Sequence, residues 1–333
     1  MGEDKRFSIA GYLLKKSLYA LLMILIISLI SFIAVNLAPN SFFASGELNP
    51  NITPESIEHL KQVYGLDKPL IQQYFSWIGA LMQFDFGISF SSGKMVREEI
   101  FERLPVTLII NIVSMVLIFV ASLYLGIKAA LHQGRLLDRI VKQFSLVSYS
   151  MPSFYLALIL IIILAVTYDL FPIAGLHGVE EEAGWIAYYT DMAWHLVLPI
   201  GVIVFGGIGS LTLYVRSLSI EILKSDYIFF ARSRGLAEKL IFYRYVLPNL
   251  SAPMITILGL SLPGLIGGSV ILESIFSING MGLLFYQSAL SRDYPVIMGI
   301  LMIGAFLTLV GNILADMILL MINPYFVRKE RNA

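Results

Sequence analysis

Gly87 to Lys94 reads GISFSSGK, which has the makings of a loop that cradles phosphate with backbone N–H groups and a lysine. Five residues rather than four separate Gly87 from Gly93, and Met95 stands where a Ser or Thr would hold magnesium. The loop therefore does not fit a nucleotide. His59, His132, His177 and His195 show no spacing that would set two of them on one metal, so solvated or interfacial histidines are the plainer reading. Asn312 and Asp316 lie four residues apart and share one helical face. An acid inside an apolar run is costly and belongs against the protein interior or water, as a packing contact, a bond to a partner or a proton relay. No nucleophile and base pair, zinc motif or cofactor fingerprint is present, and the chain has no cysteine. The expectation is a polypeptide that is no enzyme and binds no cofactor or metal itself.

One further polar stretch has a pattern of its own. Ser225 to Asn249, SDYIFFARSRGLAEKLIFYRYVLPN, carries or adjoins Lys224, Arg232, Arg234, Lys239 and Arg244 between two long apolar segments. Gly235 follows Ala231 by four residues, and Leu247 and Pro248 come further on. This spacing predicts a short helix, a turn at Gly235 where the missing side chain permits positive φ, and a second helix leading back. Such a helix-turn-helix at a membrane surface is a docking knob, the plainer alternative being an ordinary basic loop.

The elements that must position these residues are membrane spans. The 333-residue chain is 57% hydrophobic and 14% charged, with mean hydropathy +0.79. Uncharged apolar runs of roughly 20 residues match a hydrocarbon core of about 30 Å. Net charge is zero, without the basic excess of a nucleic-acid binder. Six spans are predicted: Leu18 to Ala38, Thr107 to Ala130, Ser150 to Tyr168, Leu196 to Leu218, Ile255 to Leu272 and Val296 to Ile322. With the N-terminus inside, seventeen of the 23 lysines and arginines fall on inner segments, leaving only Lys61, Lys68, Lys94, Arg97, Arg103 and Arg292 outside. Both termini are therefore expected in the cytoplasm. The first span is too long for a secretory signal, and NLAPN at its end offers no small-x-small cleavage site.

The predicted organisation is an N-terminus and first span over 1–38, an extracytoplasmic helical segment over 39–104, a five-helix core over 105–323 containing the coupling loop 219–249, and a cytoplasmic tail over 324–333. In the outer segment Thr53 and Pro54 can open a helix that stops at Gly65, and a second helix follows Pro69. Leu70, Tyr74, Trp77, Ile78 and Leu81 form its apolar stripe, suited to the membrane interface or to neighbouring spans. A short inner loop spans His132 to Gln143. Gly201, Gly206, Gly207 and Gly209 suit close helix approach in span four. Pro263, Gly264, Gly267 and Gly268 interrupt span five, as a translocation path or a kinked packing helix would.

The stretch with Ala231, Gly235, Leu247 and Pro248 resembles the "EAA" coupling loop of ABC importer membrane subunits. Asp226, Tyr227, Ala231, Arg232, Gly235, Leu236, Arg244, Leu247, Pro248 and Asn249 more narrowly resemble permeases for dipeptides, oligopeptides and nickel. Phe229 and Phe230 occupy the places of the name-giving Glu and Ala. YLLKKSL from Tyr12, GLDKPLIQQY from Gly65, FDFGISF from Phe84, RLPVTL from Arg103, GRLLDRI from Gly134, ESIFSINGMGLL from Glu273 and RDYPVIMG from Arg292 resemble the family in the same order. The resemblance implies an all-α integral membrane protein of the type I ABC importer permease fold, in a bacterial or archaeal inner membrane. It implies a second permease, two cytoplasmic ATPases carrying ATP and magnesium, and an extracytoplasmic solute-binding protein. Phe229, Phe230 and Leu236 are then expected to anchor the knob in an ATPase groove, with Arg232 and Arg234 facing acidic partners. Peptide is the expected cargo as the broadest class, nickel or another small solute being the alternative. A self-contained channel or ion-coupled carrier is the competing class.

Overall fold

Apolar residues without a polar period can satisfy their backbone only within a helix, and helices dominate this chain. The computed structural model describes residues 9–37, 55, 68–178, 184–261, 264–267 and 270–322. Apart from Glu55, the expected helix from Thr53 to Gly65 lies outside the described residues, as do Pro263 and Gly268 of the interrupted span and the tail 324–333. The helices are α1 (Ile9–Leu37), α2 (Leu70–Leu81), α3 (Val96–Leu131), α4 (Leu136–Ser150), α5 (Ser153–Leu160), α6 (Trp185–Leu223), α7 (Asp226–Ser233), α8 (Glu238–Ile241), α9 (Leu247–Ser261), α10 (Gly264–Gly267), α11 (Val270–Ile275), α12 (Met281–Ser291) and α13 (Tyr294–Ile322). Wide π-helical turns continue α5 over Ile161–Thr167 and join α8 to α9 over Phe242–Val246.

Among the described residues, four helical stretches are long and apolar enough to cross a membrane: Lys15–Ala34, Val96–Leu131, Trp185–Leu223 and Tyr294–Leu314. Helix α4 and α5 with its π turn are apolar enough only when taken together, and a bend of 97° between them makes the pair either a broken span or a re-entrant loop. The bend falls at Met151 and Pro152, both extended, because proline supplies no N–H to continue α4. The inner loop predicted from His132 to Gln143 shrinks to a turn at 132–135, since α4 already begins at Leu136. Within the predicted span from Ile255 to Leu272 the described residues are helical, as the end of α9, α10 and the start of α11, while 262–263 and 268–269 lie outside the described residues. Helices α3 and α6 outrun their predicted spans. At about 1.5 Å per residue, the 36 residues of α3 reach roughly 54 Å, well beyond a hydrocarbon core of about 30 Å. Hydropathy marks the part that needs lipid, whereas backbone hydrogen bonding carries the helix past it.

The described chain divides into two compact units. The first comprises Met1–Thr107, Leu262–Val270 and Gly280–Leu314. In it Trp77 of α2 is 1% exposed and stacks on Phe32 of α1 at 5.9 Å, while the Tyr74 and Ser28 hydroxyls meet at 2.8 Å. Tyr74, Trp77, Ile78 and Leu81 thus pack inward, and Leu70, Ile71 and Phe75 form the exposed face. GISFSSGK forms a tight reversal with positive φ at Gly87 and Gly93. Its anion is the chain's own: the buried Asp293 carboxylate accepts from the Ser89 hydroxyl at 2.6 Å and the Ser91 N–H at 2.9 Å.

The second unit comprises Leu108–Ser261, Ile271–Asn279 and Ala315–Ala333. Here α4 runs antiparallel along α6. A Cβ on Gly209 would lie 2.4 Å from the Ser145 carbonyl, and the Ser148 hydroxyl donates to the Phe205 carbonyl. A Cβ on Gly126 of α3 would lie 2.7 Å from Val215 of α6. Of the four span-four glycines, Gly207 and Gly209 sit at close approaches, whereas Gly201 and Gly206 have nothing within 4 Å. Gly209→Leu is therefore expected to destabilise this unit by about 1–3 kcal/mol through overpacking, read as a lower melting temperature in detergent. Gly201→Leu serves as the unaffected control.

Candidate functional site

The knob begins where α6 stops. Ser225 donates its hydroxyl to the Ile222 carbonyl at 2.6 Å, satisfying the last turn of α6, and Asp226 opens α7 at the end where a helix dipole favours negative charge. Only eight residues later α7 ends in a complete left-handed cap. Gly235 has φ +74°, its N–H donates to the Arg232 carbonyl at 2.9 Å, and the Leu236 N–H donates to the Ala231 carbonyl at 3.3 Å. A Cβ on Gly235 would meet nothing within 4 Å. The glycine is there for its backbone angle, not for space.

Across this turn the Arg232 guanidinium grips Glu238 with two bonds, Nε to Oε1 at 2.7 Å and Nη2 to Oε2 at 3.2 Å. That hydrogen bonding raises Arg232 above its ordinary value and holds the Glu238 carboxyl below the usual carboxylate range. The pair's contribution is fully present above the ordinary carboxylate pKa and is lost as pH falls through the lowered one. Both side chains are well exposed, so screening keeps the pair small. Glu238→Gln is expected to cost less than about 1 kcal/mol at neutral pH and nothing at acid pH, by melting at the two pH values.

The knob has two faces. Ile228 and Ala231, three residues apart, are buried at 0% and 4% exposure in an apolar cluster with Leu211, Val215 and Ile222 of α6 and Ile241, Val246 and Leu250 beyond the turn. Phe229 and Phe230 point the other way at 67% and 66% exposure, their rings edge to face at 6.2 Å. Tyr227, Arg234, Leu247 and Pro248 are also exposed. Leu236, grouped by sequence with the outward phenylalanines, instead packs against the inner cluster, as the residue after a left-handed cap commonly does. Arg232 is likewise committed to Glu238. Pro248 supplies no N–H to the preceding turn, and the wide turn Phe242–Val246 falls immediately before it.

Several residues here escaped the sequence reading. For Ile228 the signal was its three-residue spacing to Ala231, which sets the two on one helical face. Arg216 lies inside a predicted apolar span and so demands a partner, which the structure shows to be Asp138 at the start of α4. Two of the four histidines meet at one aspartate. His195 Nδ1 lies 3.5 Å from Asp191 Oδ1 and 2.9 Å from the Asp191 carbonyl, and His177 Nδ1 lies 3.9 Å from Oδ2. His177 also stacks on Tyr188 at 3.8 Å. Among the described residues no group of three or more His, Cys, Asp or Glu is placed to hold a metal ion. Of the proposed path residues, Gly264 and Gly267 are helical, in α10. Asn312 and Asp316 are half-buried on α13.

The comparisons with known proteins place this multi-span helical chain in a class. The chain belongs to the family of binding-protein-dependent transport system inner membrane components, whose model matches residues 122–328; the family's N-terminal model matches residues 9–111. The oligopeptide transport system permease protein AppB of Bacillus subtilis (strain 168) is 35% identical over 316 residues, covering 95% of this chain and 98% of that protein. The dipeptide transport system permease protein DppB of Lactococcus lactis subsp. cremoris (strain MG1363) is 34% identical over 314 residues, covering 94% and 98%. The metal-staphylopine import system permease protein CntB of Staphylococcus aureus (strain Mu50 / ATCC 700699) is 31% identical over 316 residues, covering 94% and 97%. A solved structure of the MetNI methionine ABC transporter, in an inward-facing conformation, matches with TM-score 0.50 at 18% identity over 67% of this chain and 96% of that one. That likeness speaks for the fold.

Proposed function

We propose that this chain is a membrane-spanning permease subunit of an ATP-driven importer that moves di- or oligopeptides delivered by an extracytoplasmic binding protein. The chain crosses the inner membrane six times with both termini in the cytoplasm, the bent pair of α4 and α5 serving as one span and the segment from Ile255 to Leu272 as another beside the four long apolar helices. A second, similar permease completes the path. Two cytoplasmic ATPases bind ATP and magnesium, and this chain binds neither. The observation that carries the reading is the two-faced knob: Ile228 and Ala231 fasten α7 to α6, while Phe229 and Phe230 stand exposed on its other side. A surface pair of aromatics on a braced helix suits a groove in a partner. Closure of the ATPases on ATP would push α7, and α7 would carry α6 with it. The interruption at Pro263, Gly264, Gly267 and Gly268 is the segment assigned to the path.

Peptide cargo is supported by the names of the oligopeptide and dipeptide relatives. The metal-staphylopine relative supports a metal complex as the second reading. The test is reconstitution of the complete importer in liposomes, with ATP supplied at the knob side. ATP-dependent accumulation of labelled peptide is the expected result. Accumulation of a nickel chelate and not of peptide would select the second reading, and uptake by the lone chain without ATP would select a channel or carrier.

A further inference from the structure

The knob must be anchored to something stiffer than α6 alone if a push on it is to turn a bundle, and one buried carboxylate sits where that anchor is needed. Asp138 is 4% exposed in the first turn of α4. Its Oδ1 and Oδ2 accept from Nε and Nη2 of Arg216 on α6, at 2.5 and 2.8 Å. Its Oδ2 also accepts from the Gly134 N–H at 2.9 Å, in the turn that connects α3 to α4, where Gly134 has φ +80°. One side chain thus ties α4, the α3–α4 turn and α6 together. Arg216 adjoins Val215, which is wholly buried in the cluster that receives Ile228 and Ala231 of the knob. Val215 also lies against Gly126 of α3.

We propose that the Asp138–Arg216 pair is a positioning link, fixing the knob-bearing end of α6 to α4 and to the α3–α4 turn so that force on α7 reaches three helices together. A buried ion pair is weak evidence for stability, because a well-packed apolar pair can do as well. What a two-toothed guanidinium–carboxylate contact adds is direction: it fixes both register and rotation between the helices it joins. The close contacts at Gly209 and Ser148 hold α4 against α6 but, being small and smooth, leave rotation about α6 less constrained than the fork does.

This inference rests on the coupling reading above, and the experiment separates the two. The complete importer in proteoliposomes is assayed for ATP hydrolysis and peptide uptake with Asp138→Asn, which keeps the volume but loses the charge, and with Arg216→Lys, which keeps the charge but loses the fork. Peptide moved per ATP hydrolysed is expected to fall roughly tenfold in both, a middling coupling effect, with hydrolysis falling far less. Because the chain has no native cysteine, an Asp138→Cys, Arg216→Cys double variant can then be bridged by a short bifunctional thiol reagent after assembly. Recovery of coupling on bridging, and its loss when the bridge is cleaved, supports a positioning role, since a folding defect would not be repaired so late. Unchanged peptide per ATP in both single variants, or a parallel loss of hydrolysis and uptake that bridging fails to restore, overturns the link. Failure of the unaltered importer to couple ATP to uptake at all removes the reading on which it rests.

Discussion

Replacing Gly235 by proline is expected to reduce ATP-driven uptake to background while leaving the amount of protein in the membrane unchanged. Proline fixes φ near −65°, whereas the turn holds φ +74°, and it removes the N–H that donates to the Arg232 carbonyl. A penalty of about 3 kcal/mol or more corresponds to a loss of the native turn of roughly 100-fold or greater. The apolar spans that drive insertion do not include this residue. Because a Cβ at 235 has nothing within 4 Å, the side chain is sterically free and the series isolates the backbone angle. Gly235→Asn, which tolerates the left-handed region, should retain most uptake, and Gly235→Ala should fall between, at a cost of about 1–2 kcal/mol. Normal uptake by the proline variant at wild-type protein level would refute the coupling assignment.

Removing both outward aromatics should instead leave the knob folded and cost it its partner. Phe229 and Phe230 are about two-thirds exposed, so Phe229→Ala with Phe230→Ala takes little from the chain's own packing. If they fill an ATPase groove, each is worth on the order of 2 kcal/mol, or roughly 30-fold in affinity, with the usual non-additivity between neighbours. The measurement is titration of detergent-solubilised chain with its ATPase subunits. Ile228→Ala is the contrasting variant: wholly buried, it should cost about 2–5 kcal/mol of stability and impair the knob through its fold. Unchanged ATPase affinity in the double aromatic variant would take the docking role away from this face of α7.

The knob was legible because its signals are local. Ala231, Gly235 and the alternation of apolar and polar residues around them dictate a short helix, a left-handed cap and a second helix, with little need of tertiary context. The direction of Leu236 was not legible from residue type, since a leucine suits an interface and a core equally; the cap geometry turns it inward. Arg232 read as a free charge because Glu238 lies across a turn whose geometry sets the pairing. Span limits were readable only as far as hydropathy reaches, so α3 and α6 came out short. The 97° bend falls near Ser150, where the third predicted span begins, but its angle depends on how α4 packs along α6, which pattern alone does not encode. Asp138 and Arg216 are 78 positions apart, and only the fold brings them together.

The most direct test of the central claim, that this chain works as the permease of an ATP-driven importer, is affinity purification from its native membrane in mild detergent. Every co-purifying protein and bound small molecule is identified by mass spectrometry. The expected result is recovery of a second, similar permease and ATPases with nucleotide-binding loops, together with a binding protein carrying peptide. Recovery of the chain alone or as a homo-oligomer, with no ATPase even after cross-linking, would contradict it and turn attention to a channel or carrier.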